Sequence, residues 1–228
     1  MPKANPLRSL WAETHLIVKD KSIMYQTLEI LTNMDIDVDG APNTYGPPGK
    51  PTLDFELNAH EHAKSTGRIV GYLVKADGET PEVQQDGPFK GYYISTTAFQ
   101  DKRNPHTLDP KKYVDASKIN YVLLGSHAKE HGVRLGDFVA AYSHRHGNSV
   151  FGIVGDTGNS SGAEGSLALL QALGYPFKDG KSESVDNREI VVRYFAGSNP
   201  DQHFFHDQAQ IDHEAETLGL SKDFSGHN

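Results

Sequence analysis

The chain contains no cysteine. Disulfides, thiolate nucleophiles and sulfur-ligated zinc are thereby excluded. It also lacks any run of about 18 apolar residues, so no membrane-spanning helix is expected. Its opening residues, MPKANPLRSLWAE, lack the apolar stretch of a signal peptide, and none is expected there. Basic residues are in the minority: 22 Lys and Arg stand against 30 Asp and Glu, a formal charge of −8 with the 12 histidines neutral. No basic stripe is visible to meet phosphates, which argues against nucleic acid as a partner. An acidic surface suits a cationic or neutral partner instead. No repeat, low-complexity block or interdomain linker appears in the 228 residues. One domain with a buried core is expected.

The stretch 155–173, GDTGNSSGAEGSLALLQAL, concentrates the chemistry. The apolar run 150–154 before it reads as a strand, which puts Asp156 at a strand's carboxyl end. Ala163, Leu167 and Leu170 fall at i, i+4 and i+7, one face of a helix predicted over 163–173. That helix ends at Gly174, a favourable C′ residue, with Pro176 just beyond. Glu164 is then expected in its first turn. The Gly- and Ser-rich loop between brings a strand-end acid and a helix-start acid towards one cleft, the arrangement that acid–base hydrolysis uses. The same residues also suit ordinary structure, since Asp is a common turn residue and Glu is favoured at a helix start.

A second acidic group lies at 34–40, MDIDVDG. Its alternation predicts a strand with Met34, Ile36 and Val38 inward and Asp35, Asp37 and Asp39 outward. The opening imitates a calcium-binding EF-hand loop, but Gly46 occupies the twelfth position where Glu is needed, and Pro42 intrudes. Three carboxylates on one face are either solvated or wall a cleft that takes cations. Further strands are expected at 15–18, 53–57, 69–74, 91–99, 121–124 and 190–195, and at 23–31, where the mixed period also allows a helix, and a hairpin pairs 137–142 with 150–154. Ile211, Ala215 and Leu218 have helical spacing near the C-terminus. His60 and His62, His144 and His146, and His203, His206 and His213 lack the spacing of a metal motif such as HExxH, so no metal is expected. The fold class that follows is mainly β with some α: a single-domain β-barrel, with one helix after the catalytic loop and another at the C-terminus. The expected organisation is a lead-in with first strands over 1–33, the barrel over 34–197 and a helical tail over 198–228.

Four stretches in order carry a family resemblance: MDIDVDGAP at 34–42, GYYISTTAF at 91–99, VDASKINYVLL at 114–124, and GDFVAAY…VFGIVGDTGNSSGAEGSLAL at 136–169. Together they resemble the fungal-type chitosanases of glycoside hydrolase family 75, which also has bacterial members. The resemblance implies an endo-acting, inverting hydrolase of β-1,4 bonds in chitosan, secreted and without a cofactor; a monomer is expected. It carries the family's essential acids onto Asp156 and Glu164. Asn159 stands where Pro is common in the family, and Ala163 where Gly is usual. A looser likeness, to double-psi β-barrels of lytic transglycosylases and expansin-like proteins, concerns fold alone.

On this reading Asp156, desolvated behind a buried strand, is the general acid. Glu164, ionised by a helix N-terminus, is the general base. Asp35, Asp37 and Asp39 would hold the ammonium groups of the substrate, and Tyr92, Tyr93 and Thr97 are candidate sugar contacts. The partner is a polysaccharide, with neither nucleic acid nor membrane. The alternatives are a toxin-like hydrolase of peptidoglycan, a glycan-binding barrel without catalysis, and a histidine-based metal protein.

Overall fold

The computed structural model describes residues 25–181 and 183–227. The expected strand at 15–18 lies outside them. Six strands close into a barrel in the order β1-β5-β2-β4-β3-β6. They are β1 (Gln26–Asp37), β2 (Tyr121–Leu123), β3 (Phe138–Ser143), β4 (Ser149–Asp156), β5 (Glu164–Ser166) and β6 (Ser184–Ala196). Three short helices accompany them: α1 (Ser126–Glu130), α2 (Leu167–Ala172) and α3 (Gln208–Thr217). A single mainly-β barrel with a C-terminal helix is the fold expected from sequence.

The period-2 pattern explains the two apolar layers. Along β1, Leu28, Ile30, Met34 and Ile36 turn to the barrel interior, whereas Thr27, Glu29, Leu31 and Asp35 are exposed. Met34 meets Val122, Val139, Val154 and Val192 there. β3 and β4 are buried on both faces, so they read as nearly continuous apolar runs. Their outer residues Phe138, Ala140, Phe151 and Ile153 form a second layer with Phe99, Phe205 and α3. Helix α3 starts at the Asp207 cap, whose carboxylate accepts the Gln210 N–H at 2.9 Å. It buries Ile211 and Ala215 completely. Each large apolar side chain so buried contributes about 1.5–3 kcal/mol.

The long segment 38–120, between β1 and β2, departs from the expected pattern. The expected strands at 69–74 and 91–99 are represented only by isolated bridges, such as Tyr72 with Ser95 and Val83 with Tyr93. Leu53–Leu57 alternation gives way to a 3-10 turn at Glu56–Ala59. A small aromatic cluster of Tyr45, Tyr72 and Tyr93 holds the segment together instead. The expected boundary at 33/34 falls inside β1, because residues 26–31 and 34–37 belong to one strand interrupted only by a register shift against β6.

Candidate active site

Strand pairing sets the geometry of the acids. In β1 and β5, which run parallel, Asp35 pairs with Glu164 and Asp37 with Ser166. Gly165 of β5 pairs with Val122 of the antiparallel β2, so Glu164 lies level with Leu123. Leu123 in turn pairs with Asp156 across a register shift, because Val122 pairs with Val154. One extra residue, Gly155, is therefore taken up in β4. This bulge turns Asp156 from the interior to the outer face. The side chain of Tyr121 fills the space beside Gly155: a Cβ there would meet the Tyr121 ring at 2.6 Å. Asp35, Asp37, Glu164 and Asp156 thus share one outer face. Glu164 and Asp156 stand level on strands separated by β2, two strand spacings or about 10 Å between backbones.

Asp156 is 7% exposed. Its Oδ1 accepts the N–H groups of Ala98 at 2.9 Å and Thr157 at 2.7 Å. No donor of the described residues reaches Oδ2, and no fully buried side-chain oxygen among them lacks a partner, so Oδ2 keeps some contact with solvent. Burial, followed by the nearby charge of Asp37, holds the Asp156 pKa well above the usual carboxylate range, against the two N–H bonds. The expected direction for Asp156 agrees with the structure.

The expectation for Glu164 is corrected. It lies in β5, and α2 begins only at Leu167, with Ser166 as its cap accepting the Leu169 N–H at 3.1 Å. No helix terminus favours its charge. Burial and the charge of Asp35 raise its pKa, opposed by the Asn159 amide, which donates to Oε1 at 2.7 Å.

The acids of 34–40 divide. Asp35 is exposed. Asp37 ends β1 and accepts the Asp39 N–H at 2.8 Å. Burial pushes its pKa up to about 7, with the charges of Glu164 and Asp54 adding to the rise. Asp39 lies beyond the strand, half-buried, and accepts a hydrogen bond from Ser95 at 3.2 Å. Its pKa is raised by burial and then by Asp37 and Asp156. The Tyr121 hydroxyl donates to the Asp39 carbonyl at 3.0 Å and also bonds the Asp37 carboxyl.

The expected sugar contacts fare differently. Thr97 is 3% exposed; its hydroxyl donates to the Phe99 carbonyl and accepts the Val114 N–H. Tyr93 is 8% exposed and packs 4.9 Å from the Tyr72 ring. Thr97 is consumed in holding 38–120 together, since its hydroxyl both donates and accepts there, and the Tyr93 ring is packed into the aromatic cluster. Tyr92 remains partly exposed, with its hydroxyl on the Pro51 carbonyl at 2.9 Å and Lys50 over its ring.

Sequence reading missed Asp54, Tyr121, Asn159 and Phe55 as parts of this region. Asp54 is 8% exposed, accepts from Phe55 N–H and Asn58, and acts electrostatically on both Asp37 and Asp39. Phe55 beside it is 54% exposed, with Lys181 5.6 Å over its ring. Among the described residues no group of three His, Asp or Glu side chains is arranged to hold a metal ion. No family model matches the chain, and no curated protein matches it.

Proposed function

We propose that the chain is an endo-acting glycoside hydrolase that cleaves β-1,4 bonds in chitosan with inversion. One observation carries the reading: a desolvated Asp156 and a less perturbed Glu164 stand level on a common face about two strand spacings apart. That backbone spacing suits the roughly 6.5–9.5 Å between carboxyl groups that leaves room for a water in inverting enzymes. The motif resemblance to glycoside hydrolase family 75 points to the same two acids.

Asp156 acts as general acid. Its Oδ1 is fixed by two backbone N–H groups, so the proton resides on Oδ2 and passes to the glycosidic oxygen as the bond to the anomeric carbon breaks. Burial, and then the neighbouring charge of Asp37, favour the protonated form. Glu164 acts as general base: its carboxylate, assisted by Asn159, takes a proton from the water that attacks the opposite face of the sugar. The exposed Asp35 and the adjoining acids favour a polymer carrying ammonium groups, and Phe55 offers a flat apolar face at the rim.

The test is release of reducing ends from chitosan, chitin and peptidoglycan side by side. The expected result is activity on chitosan, with Asp156→Asn and Glu164→Gln each slowing it by about 10²- to 10⁴-fold while folding is retained. Substantial hydrolysis by either variant removes that acid from the mechanism. Activity confined to peptidoglycan would transfer the same chemistry to a different polymer.

A further inference from the structure

A concave region lies away from the carboxyl face. It encloses about 540 Å³ between the β3–β4 turn, the segment after α2, and the start of β6. Its construction explains an interruption in the barrel. Thr32 pairs with Ile190 and Met34 with Val185, so residues 186–189 of β6 stand opposite Asn33 alone. They bulge outward and form a wall. Arg188 ties that wall to β1 through the Leu31 carbonyl at 2.8 Å, and Ser184 donates to Asp186 at 2.5 Å. Such an insertion re-aims side chains and is a built feature of a strand.

The opposite wall is aromatic. Tyr175 and Phe177 stack at 5.5 Å with 16° between their planes, and His146 meets the Tyr175 ring edge-on at 4.6 Å. The Tyr175 hydroxyl is held by Ser143 at 3.0 Å and by Glu189 at 2.8 Å, which fixes the ring before anything binds. Tyr175 is buried and Phe177 only partly so. Asp186, Asn187 and Arg145 stand exposed around the opening.

A fixed aromatic wall faced by a carboxylate, an amide and a guanidinium is suited to a ligand with one apolar face and a rim of hydroxyls, which is a pyranose ring. Among the lining residues the carboxylates of Asp186 and Glu189 outnumber the guanidinium of Arg145, since Arg188 is turned to the Leu31 carbonyl, and this favours a ring bearing an ammonium group. The position agrees: Ser184, at the edge of the cavity, pairs with Asp35, which pairs with Glu164. The edge is therefore two strand spacings, about 10 Å, from the proposed base. We infer that this cavity is a second amino-sugar site, which holds a glucosamine unit of the polymer against Phe177 with its ammonium directed at Asp186. The inference rests on the chain being a hydrolase of an amino-glycan. It adds a site remote from bond cleavage that grips the polymer.

The test is an amide NMR titration of the full chain carrying Glu164→Gln, to prevent turnover, with glucosamine hexamer and with N-acetylglucosamine hexamer. The amides of Tyr175, Phe177 and Asn187 should shift with the glucosamine hexamer, and more weakly with the acetylated one. Asp186→Asn should weaken that response by about two- to five-fold, as loss of an exposed charge pair does. Phe177→Leu, which keeps the apolar filling but removes the flat face, should weaken it by about five-fold. Shifts confined to the surroundings of Asp156 and residue 164 would overturn the second site and leave the hydrolase reading standing. Shifts at the cavity in a chain whose native form releases no reducing ends would support the site and overturn the hydrolase. Absence of shifts at either place would overturn the second site, and the activity assay alone would then decide the hydrolase.

Discussion

Replacing Asp37 by Asn should stabilise the protein, and only above mildly acidic pH. Burial and the charges of Glu164 and Asp54 raise the Asp37 carboxyl from the ordinary 3.8 to about 7 in the folded state. Between about pH 4 and 7 the folded protein therefore keeps a proton that the unfolded chain releases. Stability falls as pH climbs through this window and levels off above it. At about 1.4 kcal/mol per pH unit, the full penalty of the charged form is about 4 kcal/mol. Asn keeps an oxygen for the Asp39 N–H, which donates to Oδ1 at 2.8 Å, and carries no charge. The assay is thermal unfolding of both proteins from pH 4 to pH 8. The melting temperatures should agree within a degree or two at pH 4. At pH 8 the variant should lead by about 5 °C or more, given roughly 2–4 °C per kcal/mol for a chain of this size. Equal melting temperatures throughout, or a less stable variant at pH 8, would refute the view that Asp37 is held in a desolvated, like-charged environment.

Other outcomes follow from the same geometry. Gly155→Ala puts a methyl group 2.6 Å from the Tyr121 ring; it should cost about 1–3 kcal/mol in denaturant unfolding and lower kcat by displacing Asp156, whereas an unaltered kcat would show that the bulge does not aim the acid. Asn159→Ala removes the donor that favours ionised Glu164. The base then ionises at higher pH, so the acidic limb of the kcat/KM profile should move upward, and a fixed limb would argue against Glu164 as base. Phe55→Ala, at a side chain 54% exposed, should raise KM for chitosan by about two- to ten-fold with little change in melting temperature; an unchanged KM would remove Phe55 from the substrate path.

Much of the barrel was legible locally. Alternation of apolar and polar residues announces the inward face of β1 at Met34 and Ile36, and apolar runs flanking a polar turn announce the β3–β4 hairpin. The spacing of Ile211 and Ala215 announces α3, and the strand before Gly155 places Asp156 at its carboxyl end. These features depend on neighbours a few residues apart, and period carries that information. β5 was not legible. Glu164–Ser166 is too short for a period, and the helical spacing from Ala163 extends over it; its strand conformation comes from pairing with β1 on one side and β2 on the other. The bulge at Gly155 likewise exists only because β2 fixes the register of β4. The raised pKa values arise from burial and where acids distant in the chain converge: Asp37 and Glu164 on Asp156, Asp156 and Asp54 on Asp39, and Glu164 and Asp54 on Asp37. The sequence by itself determined which residues carry charge and which faces of the longer barrel strands turn inward. Tertiary structure alone decided which charges lose water together, because desolvation and mutual repulsion depend on distances that chain order does not contain.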